Sequence, residues 1–245
     1  MQAANPLGAA DDPEGLGWRR GLVVQGSSCA RPVRIAPCDG DDTFPQNPGE
    51  VHSFVPAVVR MILQCSARPS SSLSTATDNA AQVNIEWALA RELLTGLATE
   101  NPALVDGEEL ADNVNVEEAI ACLEAAAAER IGGRMAFIHV PQGLSIYLPS
   151  NLWRDAAGIL RTPAGNVVVI SPGYFGGSVY ATGEVWAGVD HYQPAKVIDQ
   201  RSINLEEASA DSLALAVFDP CFNVNVATSH EPCVMPDSPS SPEEV

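Results

Sequence analysis

Apolar residues recur at helical spacing in two stretches of the chain. Residues 75–97 contain no proline and predict the longest helix of the protein. The apolar stripe of this helix consists of Val83, Trp87, Ala90, Leu94 and Leu97. We expect Trp87 to be part of the core. A second helix is predicted at residues 116–131, because Asn115 and Glu118 have the spacing of a capping box and Gly132 can adopt the positive φ that closes a helix.

Short runs rich in β-branched residues predict strands in the rest of the chain. They cover residues 22–25, 51–65, 135–140, 159–162, 166–170, 178–189, 197–205, 212–218 and 222–228. Residues 51–65 fit either a strand or a hairpin arm, and residues 205–214 also fit a helical turn. Pro163-Ala164-Gly165 predicts a hairpin, and Pro141 opens a brief helix. The mixture of elements predicts an α+β fold.

Proline is frequent near both ends of the sequence. Residues 1–50 contain six prolines, which predicts an extended arm that is either disordered or laid along a neighbouring subunit. Residues 229–245 contain four prolines and four acidic residues without Lys or Arg, which predicts a mobile acidic tail.

Charge narrows the possible partners. With 13 Lys and Arg against 31 Asp and Glu, the formal net charge is -18, which excludes sequence-independent nucleic-acid binding over the whole surface. No apolar run has the length of a membrane span or a signal peptide, so we expect neither membrane insertion nor secretion. The six cysteines lack metal-site spacing and are expected to be reduced. Pairing of Cys29 with Cys38 and of Cys221 with Cys233 is the alternative.

Residues able to support catalysis are few. Cys122 with His139, or a serine with His191, would be nucleophile and base, but no serine lies in a G-x-S-x-G elbow. We expect His139 to be a neutral core residue bonded to the backbone. The glycine-rich residues 173–177 lack the P-loop pattern, and the acidic residues between 92 and 129 lack calcium-loop spacing. We therefore predict no catalytic residue, no cofactor and no metal.

The order of the elements resembles that of major capsid proteins of tailed bacteriophages with the Hong Kong 97 fold, in the compact version of actinobacteriophages. The stretch IEWALARELLTG is similar to the family's long spine helix. GGRMAFIHVPQGLSIYL, TPAGNVVVISPGYFGG and YATGEVWAG follow in the order of the family's later elements. The chain has no lysine before Lys196, so the isopeptide cross-link that some members form from a lysine of the extended loop is not expected.

The resemblance implies a division of the chain into segments. They are an extended N-terminal arm (1–50), an extended loop (51–72), a peripheral-domain spine helix (73–114), an axial domain (115–177), peripheral-domain strands (178–228) and an acidic C-terminal tail (229–245). The implied function is that of a virion protein that self-assembles in the host cytoplasm into the icosahedral shell enclosing phage DNA. The alternatives are a minor capsid, head-tail connector or tail protein, or a small soluble enzyme.

The implied partners are further copies of the chain, arranged as hexamers and pentamers, with a separate scaffolding protein and a portal. The DNA would be enclosed without specific binding, and no membrane would be involved. Contacts with an adjacent subunit are expected from Phe54, Val55, Val58, Val59, Arg60, Met61, Leu63 and Arg68. The two arginines would pair with acidic neighbours. The alternative is that these residues fold back on their own chain.

Overall fold

A computed structural model describes residues 3–4, 22–25, 51–65, 72–132, 134–190, 193–200 and 205–230. Within these ranges the helices are α1 (Ser72–Thr95) and α2 (Val116–Arg130), with 3-10 helices at Leu104–Asp106 and Gln142–Tyr147. The strands are β1 (Ala3–Ala4), β2 (Leu22–Gln25), β3 (Val51–Phe54), β4 (Ala57–Cys65), β5 (Glu108–Val114), β6 (Phe137–Pro141), β7 (Trp153–Arg154), β8 (Leu160–Arg161), β9 (Val167–Ser171), β10 (Ser178–Thr182), β11 (Val185–Val189), β12 (Gln193–Gln200), β13 (Leu205–Phe218) and β14 (Asn223–Thr228). The predicted α+β class is confirmed.

The largest sheet has seven strands in the order β5-β14-β10-β6-β9-β8-β7. The pairs β5–β14 and β6–β9 are parallel, and β10 is antiparallel to both of its neighbours. Helix α2 packs on one side of this sheet. Its buried residues Val116, Ile120 and Leu123 recur at helical spacing and therefore form one apolar face of the helix. They pack with Ile138 and Val179 of the sheet in one apolar core.

A second sheet is built around the long strand β13. Strand β4 pairs with one part of β13 in antiparallel register, from Ala57 opposite Ala214 to Cys65 opposite Glu206. β11 and β12 pair with β13 as well. Helix α1 packs across β13, β4 and β12. The core between these elements contains Leu94 and Phe218, both fully buried.

A small antiparallel ladder joins the amino-terminal region to the rest. β2 pairs with β1 and with β3, so that Leu22 lies opposite Phe54. The predicted strand at residues 22–25 is confirmed. Because β3 is followed directly by β4, this ladder is continuous along the chain with the second sheet.

The two predicted helices are confirmed, including the capping box at the start of α2. Asn115 Oδ1 accepts from the amide of Glu118 at 2.9 Å, and the Glu118 carboxylate accepts from the amide of Asn115 at 3.3 Å. Gly132 has a φ of 64°, as expected of the residue that closes α2. The hairpin at 163–165 and the brief helix after Pro141 are also present.

Several strand predictions need correction. Residues 205–218 form one strand, so the helical-turn alternative is wrong. Residues 178–189 form two strands in different sheets, because β10 joins the seven-stranded sheet and β11 pairs with β13. Residues 108–114 were not predicted as a strand, because their polar sequence EELADNV lacks the usual pattern.

Within the segment predicted as the extended loop, residues 57–65 form β4, which is hydrogen-bonded to β13 over its whole length. No helix of the described part of the chain is long and apolar enough to cross a membrane. The predictions for residues 1–2, 5–21, 26–50 and 231–245 lie outside the described residues.

Candidate subunit interface

The catalytic candidates are held in structural contacts. His139 lies in β6, is 1% exposed, and is bonded through Nδ1 to the Tyr174 hydroxyl at 2.9 Å and through Nε2 to Thr182 Oγ1 at 3.0 Å. Burial lowers the pKa of His139 to about 3, so the ring is neutral at physiological pH. Its partners are side chains and not the predicted backbone groups. Both ring nitrogens of His139 are bonded to hydroxyl groups. Cys122 of α2 is half-buried and packs against the core between α2 and the seven-stranded sheet.

The glycine-rich loop at residues 173–177 serves helix packing. A Cβ on Gly173 would lie 2.3 Å from the Trp87 carbonyl oxygen and 2.8 Å from the Ala90 Cβ. Only glycine therefore allows this loop to approach α1 so closely. In the described ranges no group of three His, Cys, Asp or Glu side chains is arranged to hold a metal ion. His191 lies outside the described residues.

Phe54 is a core residue and not the predicted interface residue. Its side chain is 1% exposed, and its ring packs edge-on against Phe218, with the ring centroids 5.7 Å apart. Such a side chain has no free surface for a neighbouring subunit. The alternative that this segment folds back on its own chain is therefore correct for Phe54.

Val55 lies at the turn between β3 and β4 and is 44% exposed. The Asn101 side chain fixes this turn, since its Oδ1 accepts from the Val55 amide and its Nδ2 donates to the Val55 carbonyl, both at 2.8 Å. Asn101 is a positioning residue that the sequence pattern did not reveal. Its partner lies 46 residues away in the chain, so only the tertiary structure brings the two together.

The remaining predicted residues of β4 divide between its two faces. Val59, Met61 and Leu63 are half-buried, and Met61 and Leu63 lie opposite the buried Ala210 and Ala208 of β13. Residues directly opposite in an antiparallel pair share a face of the sheet. Because Ala208 and Ala210 are buried, these side chains belong to the inner face of the sheet.

The opposite face of β4 is exposed and largely apolar. Val58 is 64% exposed and Ile62 is 48% exposed, and they alternate with Arg60 along the strand. We call Val58, Arg60 and Ile62 the outer row of β4. Ile62 was absent from the predicted interface residues. Its position in a period-2 pattern with Val58 and Arg60 was the available signal. Arg68 lies outside the described residues.

Arg60 forms an ion pair within its own chain. Its Nε and Nη2 donate to the two carboxylate oxygens of Asp211 at 2.7 and 2.8 Å. These hydrogen bonds lower the pKa of Asp211, so the carboxylate stays charged and paired. The outer row therefore exposes two aliphatic side chains, and the charge of the arginine between them is balanced by Asp211.

The chain is similar in structure to chains of known particles. A chain of the "Capsid of native GTA particle computed with C5 symmetry" is 10% identical, with a TM-score of 0.55, and the match covers 86% of this chain and 84% of that one. A chain of Mycobacterium phage Bobi is 14% identical, with a TM-score of 0.51 and coverage of 85% and 84%. A chain of the holo-SrpI encapsulin complex from Synechococcus elongatus is 9% identical, with a TM-score of 0.51 and coverage of 74% and 76%.

No protein-family model and no curated protein matches the sequence. The structural likeness extends over most of both chains in each of these comparisons. The protein thus has the Hong Kong 97 fold, which confirms the fold that the resemblance implied.

Proposed function

We propose that this protein is a capsid subunit that self-assembles into the icosahedral head shell of a tailed phage and encloses its DNA. The observation that carries the proposal is the fold shared with the GTA capsid chain, at a TM-score of 0.55 over 86% of this chain. Location in the virion and assembly in the host cytoplasm are parts of the same proposal. Hexamers, pentamers, a separate scaffolding protein and a portal complete the expected set of partners.

The two sheets support a division into two domains. In the proposal the seven-stranded sheet with α2 is the axial domain, and α1 with β4 and β11–β13 is the peripheral domain. This moves β10 and β14 from the predicted peripheral strands to the axial domain, because both are hydrogen-bonded within the seven-stranded sheet. Residues 1–50 and 229–245 keep their proposed roles as arm and acidic tail.

The outer row of β4 is a surface on which copies of the chain can meet. Copies with a net charge of -18 repel one another, so contacts between them favour surfaces without excess negative charge. In the outer row the Arg60–Asp211 pair is neutral overall, and Val58 and Ile62 supply exposed apolar area. Burial of that area contributes about 25 cal/mol for each Å² removed from water.

Electron microscopy of the purified protein tests the proposed function. Negative-stain images are to be recorded alongside light scattering of the same sample at several salt concentrations. Shells, curved sheets, or clusters of five and six subunits are the expected result. Rings of a single size would replace the proposal with a connector or tail subunit. A monomer that persists after addition of the scaffolding protein encoded with it would contradict assembly.

Point substitutions test the proposed contact surface better than removal of residues 50–68, which would also delete strand β4. Val58→Ser and Ile62→Ser are each expected to cost more than about 1 kcal/mol of contact energy if the residues are central to an interface. The expected result is loss of shells with an unchanged circular dichroism spectrum. Val105→Ser is the matched control, because Val105 is 48% exposed like Ile62 but lies in a 3-10 helix outside the outer row.

Two outcomes would contradict the role of the outer row. One is normal shells from both outer-row variants. The other is an equal loss of shells from Val105→Ser, which would show that any exposed aliphatic residue has the same effect. Neither outcome bears on whether the unsubstituted chain forms shells, so the contact surface and the proposed function are tested separately.

A further inference from the structure

An exposed arginine on α1 lies between two aromatic rings. The Arg91 guanidinium carbon is 5.3 Å from the centroid of the Trp87 ring and 4.7 Å from that of the Phe175 ring. Trp87 is 39% exposed and Phe175 is 47% exposed, so the expectation that Trp87 is a core residue is wrong. We call Trp87, Arg91 and Phe175 the aromatic clamp.

The fold holds the two halves of the clamp together. Trp87 and Arg91 are one helical turn apart on α1, whereas Phe175 belongs to the loop between β9 and β10. Close packing of Gly173 against the Trp87 carbonyl fixes that loop beside the helix. Cation–π contacts with two rings then hold the guanidinium in place. The clamp is therefore a preformed part of the surface.

The chemistry of the clamp suits an acidic, proline-containing segment. None of the ion pairs between side chains that the structure describes involves Arg91, and a guanidinium has five N–H donors for carboxylate oxygens. Exposed aromatic rings are the surfaces on which proline-rich segments dock. A partner that supplies both carboxylates and prolines would satisfy each component of the clamp.

A segment of this composition follows His230, two residues after the chain contacts the loop of the clamp, and the His230 ring lies against the Tyr147 ring with the centroids 3.9 Å apart. The Thr228 amide and hydroxyl donate to the Gly177 carbonyl at 2.8 and 2.7 Å. Phe175 is two residues before Gly177, so β14 ends close to the loop of the clamp. The 15 residues 231–245 follow, with four acidic residues, four prolines and no Lys or Arg. They lie outside the described part of the chain.

We propose that residues 231–245 fold back onto the aromatic clamp of their own chain, with carboxylates on Arg91 and prolines against the rings of Trp87 and Phe175. The segment is long enough, because an extended chain spans about 3.3 Å per residue. Its tether also places it at an effective concentration of roughly millimolar, so a weak contact is sufficient. The contact is within one chain and does not rest on the proposed function.

Photo-crosslinking of the full-length protein tests this contact. The photoreactive residue p-benzoylphenylalanine replaces Phe175, and mass spectrometry identifies the residues that become cross-linked on irradiation. An equal mixture of chains with natural nitrogen and with ¹⁵N separates cross-links within one chain from those between chains. The same photoreactive residue at Trp153, which is 47% exposed like Phe175 but lies in β7 at the edge of the seven-stranded sheet, is the matched control.

The expected result is that cross-links from position 175 fall mainly in residues 231–245 and carry one isotope label each. Arg91→Gln is expected to lower the yield by about threefold, the size of one exposed ion pair. Arg154→Gln, at an exposed arginine of β7, is expected to leave it unchanged. Full-length protein with Glu231→Gln, Asp237→Asn, Glu243→Gln and Glu244→Gln is expected to show the same loss as Arg91→Gln.

Three results would overturn the proposal. The first is an equal yield of tail cross-links from positions 175 and 153, which would indicate random contacts of the tail. The second is cross-links of mixed isotope label, which would assign the clamp to a second copy. The third is an unchanged yield after neutralisation of either Arg91 or the four acidic residues of the tail.

Discussion

Acid is expected to destabilise this protein through the buried imidazole of His139. Thr182 Oγ1 donates to the Gly183 carbonyl at 3.1 Å, so it accepts from His139 Nε2–H. The Tyr174 hydroxyl then donates to Nδ1, and the neutral ring is satisfied on both sides. Protonation of Nδ1 would place a charge in the core and would remove the acceptor of the Tyr174 hydroxyl.

The magnitude follows from the difference in pKa between the two states. The pKa of His139 is about 3 in the folded protein, because burial disfavours the charged ring, and it is about 6.5 in the unfolded chain. Between these values the unfolded state binds one more proton, so the free energy of unfolding falls as the pH falls. Protonation of His139 in the unfolded chain is expected to lower the free energy of unfolding by between about 1 and 2 kcal/mol for each pH unit below pH 6.5.

Urea unfolding between pH 7.5 and pH 5, at a protein concentration where the chain is monomeric, measures this loss. His139→Leu is expected to lower stability at pH 7.5, because two buried hydroxyls lose their partner, but to flatten the dependence on pH. Tyr174→Phe is the control, since it removes one hydrogen bond and keeps the buried ring that titrates. Parallel pH profiles of the unsubstituted protein and His139→Leu would refute the reasoning.

Three further results are expected. Phe54→Ala should reduce the free energy of unfolding by about 3–5 kcal/mol in urea titrations, because the buried ring packs on Phe218. A reduction below about 1 kcal/mol would contradict the place of Phe54 in the core. Gly173→Ala should cost about 1–3 kcal/mol by thermal unfolding, because its Cβ meets the backbone of α1, whereas Gly143→Ala, with nothing within 4 Å of its Cβ, should be tolerated. Light scattering should rise as salt is increased towards about 0.15 M, because the Debye length there is about 8 Å and repulsion between acidic copies of the chain is screened. Dissociation on adding salt would contradict the view that charge repulsion limits assembly.

Local signals predicted much of the secondary structure. The capping box at Asn115, the closing Gly132 and the proline-free run of α1 each act within a few residues, so the sequence alone reveals them. Strand β5 escaped prediction because its polar residues do not mark a strand. It is held by pairing with β14, more than 100 residues later, and by the Asn225 amide, which donates to the Gly107 carbonyl at 2.8 Å.

At the candidate interface, too, the sequence pattern predicted only part of what the structure shows. The period-2 pattern of β4 determined which residues share a face of the strand, but it did not determine which face is covered. Packing of α1 against β4 and β13 decided that Val58 and Ile62 are exposed. Pairing with β13 likewise placed Arg60 on Asp211, 151 residues away.

The sequence by itself determined the charge and the signals that begin and end the helices, since these depend on composition or on neighbours within a few residues. Only the tertiary structure decided that Phe54 is buried, that His139 bonds Tyr174 and Thr182, and that Trp87 is exposed in a clamp with Phe175. These outcomes depend on partners 35 to 164 residues apart, whose choice is a property of how the sheets and helices pack together.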